Sequence, residues 1–69
     1  MKRSTQERVI AEKEELDVKL KALIKFIDSE EFEGLKPPEG GRLIRQRGVM
    51  TQYSRILEQR IEAFQLESL

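Results

Sequence analysis

Residues 37–64 read PPEGGRLIRQRGVMTQYSRILEQRIEAF, and this stretch decides the fold. After the proline pair, Leu43, Gln46, Met50, Tyr53, Leu57, Ile61 and Phe64 recur at spacings of three and four, which places them on one stripe of a 3.6-period helix. Val49, Ile56 and Ala63, each seven apart, form a second and narrower stripe. Arg42, Arg45 and Arg60 flank it, with Arg47 and Arg55 further round. A helix apolar on two sides faces two partners, one inside the chain and one outside it.

Upstream, Ser4-Thr5-Gln6-Glu7 has the form of a capping box, so a first helix is expected from about residue 4 to 27. Val9, Leu16, Leu20, Leu23 and Ile27 form its main stripe, with Ile10 and Ile24 on one shoulder and Lys13 as an interruption. Val18, Ala22 and Phe26 form a second apolar side and are candidates for a subunit contact. Glu15 with Lys19 and Asp17 with Lys21 read as acid-before-base pairs on an exposed face.

Between the helices lies a connector, 28–40. Ser29 is placed to cap a short helical turn that Gly34 can close in a left-handed conformation. Phe32 and Leu35 are expected to fold back over the end of the pair, and Lys36-Pro37-Pro38 to be extended. The second helix is expected from about 41 to 64, with Gly40 and Gly41 as a loose start and Gln65 to Leu69 as a fraying tail in which a neighbour can pin Leu66 and Leu69. Met1 to Arg3 reads as a frayed basic end. The expected fold is all-α: one domain over 1–69, an antiparallel two-helix hairpin with a short helical turn in the connector, assembled as a homo-oligomeric helical bundle.

Oligomerisation is expected because 69 residues supply only about 3–5 kcal/mol from a single core. The chain has no cysteine for disulfides and no histidine for the usual zinc sets. In the expected assembly Val18, Ala22 and Phe26, together with Val49, Ile56 and Ala63, bury against another copy.

Thirteen basic and thirteen acidic side chains cancel, so no net field recruits nucleic acid, and no apolar run approaches the roughly 20 residues that cross a bilayer. A cytosolic protein without membrane contact is expected. Without His or Cys, the usual general base and the best nucleophiles are missing, so no enzymatic activity, no metal and no cofactor are expected.

Binding is better supported. All five basic residues beyond Lys36 are arginines, and no acid falls between Glu39 and Glu58. Arginine presents a planar fork of donors that matches phosphate and stacks on rings. Arg42, Arg45 and Arg60 are therefore candidate anion ligands, with Gln46 and Tyr53 able to read the edge and face of a base. A basic face paired with acidic side chains remains the alternative, and Gln46 and Tyr53 can instead bond each other across an interface.

The run LIKFIDSEEF at 23–32, then Leu35, then Arg42-Leu43-Ile44-Arg45-Gln46 with Met50, Tyr53, Ile56-Leu57 and Arg60-Ile61, resembles a family of very short tailed-phage and prophage proteins labelled as related to a crAss-like phage product. The resemblance spans about Arg8 to Phe64. It departs at Gly40-Gly41, where members carry acidic residues or Gln. It implies a phage protein acting in the host bacterial cytoplasm. Small helical phage oligomers are often counter-defence factors, and one class sequesters nucleotide immune signals between subunits. By analogy with that class, the expected function is sequestration of a cyclic oligonucleotide or ADP-ribose type signal. The alternatives are a helical inhibitor of a host defence enzyme and a structural or regulatory phage oligomer without small ligand.

Overall fold

The computed structural model describes residues 4–67, and every regular element among them is helical. The order is α1 (Thr5–Ile27), α2 (Glu30–Glu33) and α3 (Glu39–Glu67). Met1 to Arg3 and Leu69, expected to fray or to be pinned, lie outside the described residues.

α1 starts where Ser4, in extended backbone, accepts the Glu7 amide on its hydroxyl at 3.1 Å. It ends as the Asp28 amide returns to the Ile24 carbonyl at 3.2 Å. Ser29 then serves both neighbours: its hydroxyl donates to the Phe26 carbonyl at 2.5 Å and accepts the Phe32 amide at 3.3 Å. One side chain thus ends α1 and caps α2, which fixes the angle of the chain between them. The Phe32 ring meets Phe26 edge-on with centroids 6.4 Å apart. Gly34 closes α2 at φ −82°, in the right-handed region, and the expected left-handed cap is absent; its amide reaches the Glu30 and Glu31 carbonyls without a reversal of φ.

The Pro37–Pro38 peptide is cis, and the Glu39 amide donates to the Lys36 carbonyl at 3.0 Å across that turn. α3 begins at once. Gly40 and Gly41 are helical rather than a loose start, and the helix passes the expected limits of 41 and 64 at both ends. At Gly40 an added Cβ would lie 3.4 Å from the Phe32 ring, so the small residue lets α2 pack down on the first turn of α3.

α1 and α3 pack along their lengths. Lys13 reaches Glu58 while Asp17, one turn later, reaches Ser54, so the two helices run in opposite directions. On α1 the inward residues are Val9, Lys13, Leu16, Leu20, Leu23 and Ile27; on α3 they are Leu43, Arg47, Met50, Ser54, Leu57, Ile61 and Phe64. Both series step by four and three, the spacing of a heptad seam. Val9 and Leu57 are buried outright, and the rest of the seam is half-buried.

Two expectations about the seam are corrected. Gln46 and Tyr53 are exposed, and their places facing α1 go to Arg47 and Ser54, each one residue further on. Lys13 does not interrupt the packing. Its ammonium lies 2.6 Å from Asp17 and 3.5 Å from Glu58, so the stem stays in the seam while the charge is paired at its edge. The expected Asp17–Lys21 partnership is replaced by this one. Leu66 is 71% exposed, and nothing among the described residues pins it.

Candidate functional site

The seam fixes which way the rest of α3 points. With Leu43, Met50 and Leu57 turned inward, helical periodicity carries three rows around the opposite side. Arg42, Val49, Ile56 and Ala63 form one row; Arg45, Gln52 and Gln59 form the next; Gln46, Tyr53 and Arg60 form a third. All of these residues are exposed. The five side chains singled out for ligand binding, Arg42, Arg45, Gln46, Tyr53 and Arg60, therefore share one outward face. They do not all converge on one point along it: Arg42, Arg45 and Gln46 lie within about one turn, but at 1.5 Å per residue Arg45 and Arg60 stand roughly 22 Å apart on the same helix.

Midway along this face an open, shallow groove is lined by Gly48, Val49, Gln52, Tyr53 and Ile56. Val49 is 69% exposed. Gly48 makes the groove: nothing lies within 4 Å of where its Cβ would be, so the helix surface dips there. Tyr53 lines the groove and is 42% exposed, and an aromatic next to arginines is a surface on which a planar base can stack.

Arg42 has a local partner in Glu39 at 3.3 Å, with both side chains at least half exposed. A pair this wet is worth little, and the guanidinium keeps donors for another anion. The Gln46 amide donates weakly to the Met50 sulfur at 3.7 Å. Among the described residues no ion pair holds Arg45 or Arg60.

Of the residues expected to meet another copy, Val18, Ala22, Val49, Ile56 and Ala63 are exposed on the outer sides of the two helices. Phe26 is half-buried, since its ring is already spent on Phe32 inside the chain. Ile10, Ile24 and Ile44 are exposed as well, at 41–47%.

Periodicity alone does not find the cluster across the seam formed by Lys13, Asp17, Ser54 and Glu58. The Asp17 carboxylate takes one hydrogen bond from Lys13 and another, 2.5 Å long, from the Ser54 hydroxyl. These bonds hold its carboxyl below the usual 3.8, against a smaller opposing effect of burial. The same bond to Asp17 is the main reason the Lys13 ammonium is raised above 10.5. This cluster ties the two helices together in one register. Among the described residues there is no group of acids that could hold a metal ion, and no helix is long and apolar enough to cross a membrane.

The family model described as Sequestin matches residues 3–63. No curated protein and no solved structure matches the chain significantly. The match runs through α1, α2 and most of α3, outer face included, and the chain belongs to the Sequestin family.

Proposed function

We propose that this member of the Sequestin family binds and sequesters a phosphate-bearing nucleotide signal, of the cyclic oligonucleotide or ADP-ribose type, in a pocket between copies of the chain. The family name supports a sequestering role. The observation that carries the ligand class is the placement of Arg42, Arg45, Gln46, Tyr53 and Arg60 on one exposed face of α3 beside an open groove. Arginine forks hold phosphate, the tyrosine ring stacks on a base, and the glutamine amide reads a hydrogen-bonding edge.

In this reading the antiparallel two-helix hairpin is the subunit of a homo-oligomeric bundle. A chain with two outright buried side chains among its described residues gains core by association. The protein is a binder and not an enzyme, so the captured signal leaves chemically unchanged. The phage setting implied by the resemblance belongs to the same proposal: a counter-defence factor that removes an immune signal in the host bacterial cytoplasm.

Titration calorimetry with a panel of cyclic nucleotides and ADP-ribose compounds tests this. One member of the panel binds, Arg45→Ala loses at least about tenfold in affinity, in line with charge-assisted hydrogen bonds of roughly 1.5–3 kcal/mol, and heating releases the compound intact. Absence of binding across the panel, or release of a cleaved compound, contradicts it.

One observation favours a second reading. Ile10, Ile24 and Ile44 are exposed along the molecule, and a helical inhibitor of a host defence enzyme would use such residues as anchors. Capture of one host enzyme from lysate, lost on Ile24→Asp, would support that reading over nucleotide sequestration.

A further inference from the structure

The chain exposes 5859 Å², whereas a compact monomer of 8.1 kDa exposes roughly 4,500 Å². The excess is larger than the roughly 800 Å² that each partner buries in an interface of standard size. One copy therefore has surface to spare for a second.

The outer rows of α3 say how that second copy would lie. Arg45, Val49, Gln52, Ile56, Gln59 and Ala63 again step by four and three, a second seam opposite the first. Its middle is apolar, with Val49 and Ile56 on either side of Gln52. The ends carry opposite charge. From Gly40 to Leu57 there are four arginines and no acid, with Glu39 alone ahead of them, while residues 58–67 hold Glu58, Glu62 and Glu67 against Arg60. A parallel pair sets base against base, whereas an antiparallel pair sets the basic half on the acidic end.

We infer that α3 packs antiparallel on α3 of a second copy about a two-fold axis at Gln52, and that this crossing completes the anion site by bringing Arg60 of one copy beside Arg45 of the other. Rotation about Gln52 lays Ile56 of the second copy over the dip at Gly48 and Glu62 of the second copy against Arg42. It also removes the roughly 22 Å that separates Arg45 from Arg60 within one helix. Two guanidinium groups of like charge then face one gap, twice per dimer, and a phosphate group placed between them relieves the repulsion. The ligand in this gap rests on the nucleotide reading given above; the crossing itself does not.

The natural absence of cysteine makes the crossing directly testable. Under mild oxidation Gln52→Cys, which lies on the axis, links to itself and runs as a dimer on a non-reducing gel. Val18→Cys and Ile24→Cys stay monomeric under the same conditions. Arg45→Cys and Gln59→Cys do not link alone but link when mixed. A helical Gln52→Cys chain that stays monomeric, or a Val18→Cys chain that dimerises instead, overturns the crossing whether or not any nucleotide binds. Inorganic pyrophosphate is the probe for the shared gap. It speeds the Gln52→Cys link several-fold, and Arg60→Ala abolishes that acceleration; an unchanged rate removes the shared anion site and leaves the crossing standing.

Discussion

Leu57 and Leu66 are the same residue type on the same helix, nine positions apart, yet one is fully buried and the other 71% exposed. Truncating each to alanine isolates what the α1–α3 seam is worth. Leu57→Ala removes a side chain with no accessible surface, so it loses the transfer free energy of the missing carbons and leaves a cavity that two stiff helices cannot close. Such changes cost about 2–5 kcal/mol. A single small core supplies only about 3–5 kcal/mol in total, so the seam should not survive the change. Leu66→Ala keeps its water and should shift stability by less than about 0.5 kcal/mol. Urea titration followed by circular dichroism at fixed protein concentration measures both. The prediction is a wild-type-like transition for Leu66→Ala and a lost or barely measurable one for Leu57→Ala. If Leu57→Ala unfolds at the wild-type midpoint, Leu57 is not the centre of the core and the register described above is wrong.

Because Asp17 is held ionised by Lys13 and Ser54, its contribution is present above pH 3.8, the value expected for the unfolded chain, and is lost as pH falls through the lower folded value. The wild-type minus Asp17→Asn difference in melting temperature should therefore shrink on acidification below about pH 4, and a difference that stays constant contradicts the cluster. The Lys13 ammonium has the opposite sign: its share is present below 10.5 and fades as pH rises through the higher folded value, so a Lys13→Met chain should show no such alkaline loss relative to its own pH 8 stability. Gly41 is helical, exposed and faces open space, so Gly41→Ala should stabilise the fold by roughly 1 kcal/mol; a destabilisation would mean that α3 starts later than Glu39.

The apolar anchors of both helices were legible in the sequence. Leu16, Leu20, Leu23 and Ile27 on one helix and Leu43, Met50, Leu57, Ile61 and Phe64 on the other are inward in the structure as their spacing requires. Between those anchors the pattern is ambiguous, because a residue three or four after Leu43 or Met50 lies almost equally near the stripe. Hydrophobicity favours Tyr53 over Ser54 there. The structure takes Ser54, since its hydroxyl satisfies Asp17 on the opposite helix, and a periodicity count within one helix contains no term for a partner. The same omission made Lys13 read as a flaw in the stripe. A four-three step from Val9 reaches Lys13, but nothing within that helix names Glu58 as the acid across from it.

The arginine face was legible for a different reason. Arg42, Arg45 and Arg60 need only be outward, and the inward anchors decide that once α3 is a single helix. Turning Gln46 and Tyr53 out of the seam places them beside those arginines, so the correction to the core gathers the candidate ligand residues on one face. Within one copy that gathering stops short of a site, because the face runs from Arg42 to Arg60 over roughly 27 Å of helix at 1.5 Å per residue.

In the proposed assembly one chain does not hold the site by itself. Light scattering coupled to size-exclusion chromatography measures this without assuming a ligand. The predicted molar mass is twice the 8.1 kDa of the chain, or a higher multiple, falling toward the single-chain value in Ile56→Asp. A helical, cooperatively folded wild-type protein that elutes at 8.1 kDa across the accessible concentration range contradicts it.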